Sequence, residues 1–492
     1  MKVNSITYMQ RARRIIYRCG IILFLLLLLF PEKGFTQINT TLTFLGAVEQ
    51  GIKSNQGFAA QQSNLQAKEK DVKITRANFL PSLQFSGSVT PAWNRSVNNL
   101  DALDNLFQSG FKPLGSFSAG FNQMIYNEGY FAKHKIQKNL YISQQEQLRG
   151  KRYKLITAIG EAYINTLIGE DLLMVLNKNL ELTKRNLDAA IYRAEIGAAS
   201  LQETLRWKTK LYSEQKLIAG QQGNNISNRV LLNQLRGQPT EQIEVLERLT
   251  LEKDGFIFAN PYMREVLKND DNKKIIRDFL VELGMPNSPE ISSLNAEIDA
   301  QNRKVKSAKI WLIPNFSLNA SFDDSFLSAL GNNGSRQKGS METWFIGASA
   351  NWNVFNGGAN FSQIKKSKFK QEALEFEKKE VYSKLEKDIR SGASNLIADY
   401  LKVNLAREQA EVAMENYQMV YDSYLIGEVA LLDLLDAQEQ KFRSDYSEII
   451  TYYTFLLNLL SVEQAIGYFP FLEPQNEVDV IINNLEEKLL GG

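Results

Sequence analysis

Residues 79–88 read FLPSLQFSGS, and a similar stretch, LIPNFSLNAS, occupies residues 312–321. After the proline of each stretch, apolar residues alternate with small polar ones, which is typical of a β-strand that is apolar on one face only. Three further pairs of short segments repeat in the same order: IYNEG and VFNGG, EIGA and LIGE, and LRG and AIG. The members of each pair are separated by 229 to 233 residues. Because this spacing is much longer than a solenoid repeat, it predicts an internal duplication into two halves.

Domain boundaries follow from this repeat and from the two ends of the chain. We predict a signal peptide at 1–36, a first half at 37–250, a connecting segment at 251–289, a second half at 290–470 and a tail at 471–492. Each half is predicted to contain a helix, two strands, a long helix and a shorter helix. The fold class is therefore mainly α, with a small number of strands.

Long helices are indicated by the distribution of proline. Residues 114–238 and 315–469 contain none and are rich in residues that favour helices. The predicted helices are 42–79, 129–196, 200–236, 290–312, 358–426 and 430–466. A helix of the length of 129–196 would extend about 100 Å. The helices 42–79 and 200–236 together match this length, so we expect them to lie end to end beside it.

Four strands are predicted, at about 80–90, 115–126, 314–323 and 344–355. Their alternation also occurs in soluble sandwiches, but strands of this length match those of an outer-membrane β-barrel. We expect lipid on the side of Phe85, Phe322, Ile346 and Trp352, and the lumen on the side of Ser86, Asn319 and Asn351. Four strands cannot close a barrel, because about eight are the minimum. Two or three copies of the chain would be needed, and strand number alone does not decide between them.

Composition excludes several classes of function. The 492-residue chain has one Cys, Cys19, and one His, His134, which excludes zinc fingers, disulfide scaffolds and Cys-His catalytic sites. The sequence has no glycine-rich nucleotide-binding loop, and we predict no cofactor. The first 36 residues hold six basic residues and one acidic residue, and the remainder holds 51 and 54. This balance gives no reason to expect a nucleic-acid partner.

The N-terminus has the pattern of an export signal. Four arginines between positions 11 and 18 precede the ten-residue apolar run Ile21–Phe30, which is too short to span a bilayer. We predict cleavage after Thr36, and an uncleaved membrane anchor is the alternative. Beyond that point no stretch approaches 18 consecutive apolar residues, so the exported chain is predicted to have no transmembrane helix.

With these features the chain resembles the TolC-like outer membrane channel proteins of Gram-negative efflux pumps and type I secretion systems. The resemblance extends over about residues 40–470. It is carried by the doubled layout and by LPSL at 80–83, YNEG at 126–129 and YLIGEVALLDLLDAQ at 424–438. It implies a homotrimer whose strands form one twelve-stranded outer-membrane β-barrel and whose helices form a hollow periplasmic α-barrel. It also implies a passive exit duct that performs no enzymatic chemistry.

In this family the helical turns at the far periplasmic end meet an adaptor protein, which joins the channel to an inner-membrane transporter. The corresponding turns here are 194–201 and 424–431, and the residues expected to contact the adaptor are Gly197, Ala198, Gly427 and Glu428. The resemblance places the loops 91–113 and 326–342 outside the cell. It assigns 251–289 to a belt around the helical barrel. A solvated linker is the alternative for that segment, and the sequence does not decide between the two.

The resemblance also implies a constriction at the periplasmic tip, where acidic side chains ring the pore. By position these are Asp433 and Asp436, which lie three residues apart on one face of a helix. Three copies would place six carboxylates around one neck. The alternative role of both residues is only to stabilise the helix dipole in the first turn.

Closure of the pore is assigned in the same way. Tyr424 and Glu203 match the positions of a hydrogen bond that holds the family's pore shut. A second latch in the family uses an arginine where this chain has Val429, with Gln202 at the partner position. That latch is predicted to be absent or replaced.

Two other classes of function compete with the exit duct. One is a periplasm-spanning coiled-coil scaffold or adhesin without a pore, which the small polar face of the strands disfavours. The other is a glycosidase that uses Asp433 and Asp436, but those residues lie in a helix without an aromatic sugar platform nearby. The sequence does not identify the cargo, and the lone His134 gives no support for metal export in particular.

Overall fold

The structure is a computed structural model, and it describes residues 41–92, 112–260, 262–330 and 336–490. The backbone divides into two units. The smaller unit contains the described residues 41–43 together with 243–247, where Leu42 and Leu246 form a parallel β-bridge. All other described residues belong to the larger unit, which contains the long helices and the sheet.

Helices dominate the larger unit. The first half of the chain forms α1 (Phe44–Ser54), α2 (Gln56–Ala77), α3 (Glu128–Glu195) and α4 (Leu201–Leu235). The middle forms α5 (Leu251–Asp254), α6 (Met263–Val266) and α7 (Asp270–Asn287). The second half forms α8 (Pro289–Lys309), α9 (Ala359–Leu425), α10 (Leu431–Ile466) and α11 (Gln475–Leu490). The two halves match in element order, since α3 and α9 have 68 and 67 residues and α4 and α10 have 35 and 36.

The strands form one antiparallel sheet among the described residues. They are β1 (Ser82–Ala92), β2 (Lys112–Tyr126), β3 (Asn315–Leu330) and β4 (Arg336–Asn351), and they lie in sequence order. β1 and β4 are therefore the two edges of the sheet. Within it, β3 and β4 stay paired from Asn315 and Asn351 to Leu330 and Arg336.

One face of this sheet is apolar. Phe85 lies opposite Ala119, Ala119 opposite Phe322, and Phe322 opposite Trp344, so the four share a face with Ile346. Aromatic rings meet across the strands there, and the centroids of Phe322 and Trp344 are 4.5 Å apart. Phe85, Trp344 and Ile346 are exposed. Large exposed apolar side chains on one side of a sheet indicate a surface that meets an apolar medium.

The opposite face carries a ladder of hydroxyl and amide groups. Hydrogen bonds join Ser86 to Ser118 at 2.6 Å, Ser88 to Ser116 at 2.8 Å, Asn122 to Asn319 at 2.5 Å and Ser317 to Ser349 at 2.8 Å. Asn351 is on this face at the end of β4, where it pairs with Asn315. Phe345 is a large apolar residue on this face, and its ring lies over Gly347, where a Cβ atom would come within 2.7 Å of the ring. The alternation predicted from the sequence is thus present in the strands.

The strand ends differ from the predicted bounds. β4 ends at Asn351, because its partner β3 begins directly after Pro314, which has no N–H to donate. Trp352 therefore lies one residue beyond the sheet, so the predicted strand end at 355 is wrong, and the orientation of Trp352 toward lipid stays a prediction. At the other end the predicted loop 326–342 is also wrong for the described residues, because β3 and β4 remain paired through most of it. The predicted loop 91–113 lies mostly outside the described residues, and β1 and β2 enter it at either end.

The long helices pack side by side along α3 and α9 in two layers, which follow one another along the length of the bundle. Next to the sheet the order is α2, α3, α8 and α9, and farther from it the order is α4, α3, α10 and α9. Among the described residues, α9 is thus one edge of both layers, and α2 or α4 is the other edge. Because α2 leads into β1 and β4 leads into α9, each side of the helical layers continues into the same side of the sheet.

The predicted single helix 42–79 is two helices, α1 and α2, separated at Asn55. The Asn55 Oδ1 accepts a hydrogen bond from the Phe58 backbone N at 2.9 Å, which caps α2. Its Nδ2 donates to the Leu235 carbonyl oxygen at 2.9 Å, at the last residue of α4. Gly237 follows with a φ of +66° and no room for a Cβ atom, which would lie 2.5 Å from the Ser54 carbonyl oxygen. The end of α4 thus meets the start of α2, as the matched lengths predict.

A second joint of the same kind connects α10 to α8. Gly467 ends α10 with a φ of +68°, and a Cβ atom there would lie 3.0 Å from the Asn287 carbonyl oxygen. The same carbonyl accepts a hydrogen bond from Arg149 on α3 at 3.2 Å. At the first joint, Gly51 lies against Ile159 of α3. Both joints therefore lie beside residues 149–159 of α3, and they explain the paired LRG and AIG segments.

The connecting segment 251–289 is packed, and it is not a solvated linker. Phe258 contacts Tyr400 of α9 and Phe455 of α10, with ring centroids 5.2 and 5.6 Å away. Its main helix is α7, which packs along α9 and α10. Within the segment the chain turns at Asn269, whose side chain caps α7. The tail is also ordered into α11, which buries Val478 and Leu485.

One helix in the described part of the chain, α10, is long and apolar enough to cross a membrane by length and composition. Of its most apolar 18-residue window, 44% is buried within the protein. The buried positions include Leu456, Leu459 and Leu460. The length and composition of α10 thus coincide with those of a packed core helix.

Candidate functional site

Two tight turns end the long helices at the end of the bundle away from the sheet. α3 and α4 are joined through Gly197, and α9 and α10 through Gly427, with φ values of +76° and +82°. The backbone N of Ala198 donates to the Arg193 carbonyl at 2.8 Å, and that of Glu428 donates to the Ser423 carbonyl at 2.9 Å. Glycine is required because other residues rarely adopt positive φ. Gly197, Ala198, Gly427 and Glu428 are all exposed, so these turns offer a free surface.

Tyr424 connects the second turn to the first. Its ring is 1% exposed, and its hydroxyl donates a hydrogen bond to Glu203 Oε2 at 3.1 Å. Burial and the neighbouring Glu203 carboxylate raise the pKa of Tyr424 to about 12. The hydroxyl therefore keeps its proton and remains a donor under ordinary conditions. The contact that the resemblance implies between these two residues is present, and its role as a latch stays a prediction.

Arg193 holds the same tyrosine from the other side. Its Nη1 donates to the Tyr424 carbonyl oxygen at 2.5 Å, and its guanidinium lies 4.5 Å from the centre of the tyrosine ring. A cation over an aromatic face adds electrostatic attraction to the hydrogen bond. Arg193 precedes the first turn and Tyr424 precedes the second, so this pair ties the two helical hairpins together.

Val429 and Gln202 occupy the positions of the second family latch, and the absence of that latch stays a prediction. Val429 is half-buried and packs against the apolar core of the tip, while Gln202 is exposed. Within the described residues, the Gln202 side chain has no hydrogen-bond partner. The core that Val429 joins comprises Leu187, Ala190, Trp207, Tyr417, Tyr424, Leu431, Leu434 and Ala437.

Asp433 and Asp436 lie on the exposed face of α10, as the helical spacing predicts. The Asp433 Oδ2 accepts a hydrogen bond from the Ala430 backbone N at 3.0 Å, which caps the start of the helix. The Asp436 Oδ2 accepts from Gln440 Nε2 at 2.7 Å, one turn further along the same face. The two carboxylates are thus side by side but have different local contacts.

A buried polar layer lies behind the apolar core of the tip. Gln438 of α10 is fully buried, and its Nε2 donates to Asn179 Oδ1 at 3.0 Å and contacts Thr183 Oγ1 at 2.7 Å. Its Oε1 accepts from Asn186 at 2.7 Å. Glu214 of α4 completes the layer, because its Oε1 accepts from Asn179 at 2.8 Å and from Thr183 at 2.9 Å. Hydrogen bonds between α3, α4 and α10 thus fix the register of these helices.

Burial raises the pKa of Glu214, against hydrogen bonds from Thr183 and the positive charge of Lys210. The folded protein then holds this proton more tightly than the unfolded chain does. The stabilisation is complete below the ordinary pKa of a glutamate and is lost as pH rises through the raised pKa. We expect Glu214→Gln to lose less stability than the wild type between pH 5 and pH 8, as measured by thermal unfolding in detergent. Glu181→Gln, at an exposed acid on α3, should unfold with the wild-type pH dependence.

Sequence reasoning missed Arg193 and the buried polar layer. A signal for the layer exists, since Asn179, Thr183 and Asn186 recur at the i, i+4, i+7 spacing of a buried helix face. Polar residues at such positions need partners on neighbouring helices. Arg193 gives no comparable signal, because its partner is 231 residues away in the chain.

Comparison with known proteins agrees with this architecture. Residues 47–238 and 280–467 match the family described as outer membrane efflux protein. The chain is 20% identical over 408 residues to outer membrane efflux protein BepC of Brucella suis biovar 1 (strain 1330), which covers 82% of this chain and 80% of that protein. It is 25% identical over 188 residues to pyoverdine export outer membrane protein OpmQ of Pseudomonas aeruginosa, which covers 37% of each chain.

Solved structures share the fold at low sequence identity. CusC matches with a TM-score of 0.69 at 14% identity and covers 89% of this chain and 95% of its own. The outer membrane protein VceC of Vibrio cholerae matches with a TM-score of 0.68 at 15% identity, covering 86% and 96%. The CmeC outer membrane channel of Campylobacter jejuni has a TM-score of 0.65 at 15% identity, covering 91% and 89%.

The family match takes in both helical hairpins and all four strands of the sheet, which are the parts that form the turns, the polar layer and the two-faced strands. The chain therefore belongs to the outer membrane efflux protein family, whose members are outer-membrane channels and not enzymes, and its place is the outer membrane.

Proposed function

We propose that the chain is the exit duct of a tripartite efflux pump or a type I secretion system, assembled as a homotrimer. The observation that carries this proposal is that, among the described residues, the sheet and both helical layers end on edges without a neighbouring strand or helix. These edges are β1 and β4 in the sheet, and α2 or α4 and α9 in the helical layers. Unpaired strand edges are not tolerated in lipid, so another copy must cover them.

Exposed apolar residues recur on both helical edges with the spacing of a coiled coil. On α9 they are Leu405, Val412 and Met419, seven residues apart, and on α4 they are Leu205, Tyr212 and Ile226. All six side chains are more than half exposed. A heptad spacing keeps such residues on one seam between two helices. The α9 edge of one copy would therefore pack on the α4 edge of the next.

Three copies would close a twelve-stranded barrel with the ladder of serines and asparagines inside and the aromatic face toward lipid. Two copies would close an eight-stranded barrel, and side chains nearly fill the interior of a barrel of that size. A duct needs the wider barrel, and the family resemblance favours the trimer. The repeated element order supports an internal duplication. Each half of the chain would then form half of the wall that one copy contributes.

The exposed turns at Gly197 and Gly427 are the proposed contacts of the periplasmic adaptor. The adaptor would connect the duct to an inner-membrane transporter. The turns suit this role because their backbone is exposed and their side chains are small or, at Glu428, charged. Asp433 and Asp436 follow directly and would form the cation-selecting neck.

The proposed function is tested by measuring the mass of the assembly in detergent and its single-channel conductance. We expect the purified protein to be a trimer in detergent by light scattering and to give discrete single-channel currents in planar bilayers. A pore-free scaffold or adhesin would give no such currents. A stable monomer with full strand content would contradict both the trimer and the duct.

Removal of the Tyr424 hydroxyl tests the closed tip. We expect Tyr424→Phe to raise single-channel conductance, because the closed state loses a hydrogen bond to a charged group, a contribution of about 1.5–3 kcal/mol. Arg193→Gln should have the same direction, since it releases the same tyrosine. Tyr421→Phe, three residues earlier on α9, is the matched control and should conduct like the wild type. Unchanged conductance in both tip variants would rule out a latch at this position.

A further inference from the structure

A cavity of about 400 Å³ lies beside the middle of the bundle, outside the turns and the sheet. Its walls come from α1, α3, α5, α10, the 3-10 helix Phe256–Ala259 and the C-terminal segment that includes α11. Apolar side chains form most of them, including Phe44, Ile164, Phe256, Leu459, Phe471 and Val478. Ile164 is about 45 Å along α3 from its end at Glu195. The cavity is therefore separate from the neck and from the turns.

One carboxylate interrupts these apolar walls. Glu463 of α10 is 4% exposed and lines the cavity. Within the described residues its side chain has no hydrogen-bond or ion-pair partner. Burial and the nearby Asp254 raise its pKa well above that of an ordinary glutamate. A buried carboxyl group without a partner is unusual, because buried charges are normally paired.

The other charged groups that line the cavity add net negative charge to it. Glu252 and Asp254 line it together with Lys253, so the acids outnumber the single base. Asp254 Oδ2 is already engaged by the Thr250 backbone N at 2.8 Å. Tyr468 is close enough to Glu463 for an electrostatic interaction. Burial and Glu473 raise the pKa of Tyr468 to about 12, so the tyrosine stays neutral. The field inside the cavity therefore favours a cation.

We propose that this cavity binds an amphiphilic organic cation, with the ammonium group against the Glu463 carboxylate and the apolar body between the aromatic walls. The volume suits a small molecule with one or two rings. A metal ion fits less well, because no group of three metal-ligating side chains exists among the described residues. A neutral apolar molecule would leave the carboxylate unpaired.

Binding of the cation is coupled to release of a proton. In the empty cavity the carboxyl group favours its protonated form, and an ammonium ion favours the ionised form. Below the raised pKa, each cation bound thus releases up to one proton. This release distinguishes an ion pair at Glu463 from simple burial of an apolar body.

The test uses the full-length mature protein in detergent, with naphthylmethylamine and its neutral analogue naphthylmethanol as probes. Naphthyl fluorescence reports the affinity, and calorimetry in two buffers of different ionisation enthalpy reports the proton. We expect the amine to bind about tenfold more tightly than the alcohol, the ratio that one charge-assisted contact supplies. Equal affinities, or the absence of proton release, would overturn the proposal.

Matched variants locate the site. Glu463→Gln should reduce the affinity for the amine to that for the alcohol, abolish proton release and leave the alcohol unchanged. Glu477→Gln, at an exposed acid on α11 outside the cavity, should bind both probes like the wild type. Ala259→Phe fills the cavity and should lower the binding affinity for both probes about tenfold or more. Undiminished binding of the amine in Glu463→Gln or Ala259→Phe would place it elsewhere. None of these measurements depends on conductance, so the proposal stands or falls independently of the duct.

Discussion

Ile346→Arg should prevent the assembly of trimers in the outer membrane, whereas Phe345→Arg should be tolerated. Ile346 is 84% exposed on the aromatic face of β4, and Phe345 lies one residue away on the serine face. An arginine at the middle of the lipid-facing surface costs about 2–4 kcal/mol per chain. The same side chain in a water-filled lumen costs little. Heat-modifiable trimers on gels of outer-membrane fractions would measure the difference.

This pair is a close control, because both changes replace a large exposed apolar residue at the same depth of the same strand. Asn351→Arg, at the end of β4 on the serine face, is a second control and should shift conductance without loss of trimers. Equal loss of trimers in Ile346→Arg and Phe345→Arg would mean that the sheet does not separate lipid from lumen.

Replacement of both Asp433 and Asp436 by asparagine should abolish cation preference and block by trivalent cations while the protein remains trimeric. Six carboxylates in a narrow ring attract cations strongly, because the surrounding protein screens charge poorly. The double variant keeps side-chain size and helix register. Bilayer recordings of reversal potential and of block from the periplasmic side would measure the change.

The local contacts of the two acids allow their roles to be separated. Asp433 caps the start of α10, so Asp433→Asn should also lower stability, by about 0.3–1 kcal/mol. Asp436 only accepts from Gln440, so Asp436→Asn should affect block with little effect on stability. Asp422→Asn is the matched control, because Asp422 is an exposed acid before the same turn with a similar contact to Gln418. Block that survives in the double variant would leave both acids as helix-start charges only.

The long helices and the sheet could be predicted because their signals are local. Absence of proline and helical spacing place α3, α4, α9 and α10 to within about one residue of their ends. The alternation of apolar and polar residues predicts which side chains of β1, β3 and β4 share a face. The break at Asn55 could not be predicted, because the group that holds it, the Leu235 carbonyl, is 180 residues away.

The candidate site could be predicted only in part. Tyr424 and Glu203 were found by resemblance to a family, and their hydrogen bond forms between two hairpins that the sequence does not place in contact. Arg193 and Gln438 act through partners on other helices, so no pattern along one helix identifies their contacts. The packing of Phe258 between α9 and α10 was missed for the same reason, since a charged segment with prolines can be solvated or packed.

The two glycine joints give the bundle a particular mechanical character. Among the long helices that the structure describes, α3 and α9 run past residues 149–159 without interruption, while α4 meets α2 and α10 meets α8 end to end. Tension along the bundle is carried there by unbroken helices and their continuous hydrogen bonds. Torsion is resisted less, because the α4–α2 and α10–α8 pairs are each divided at this level, and α3 and α9 are continuous. A twist applied at the turns would therefore be absorbed at this level before it reaches the sheet.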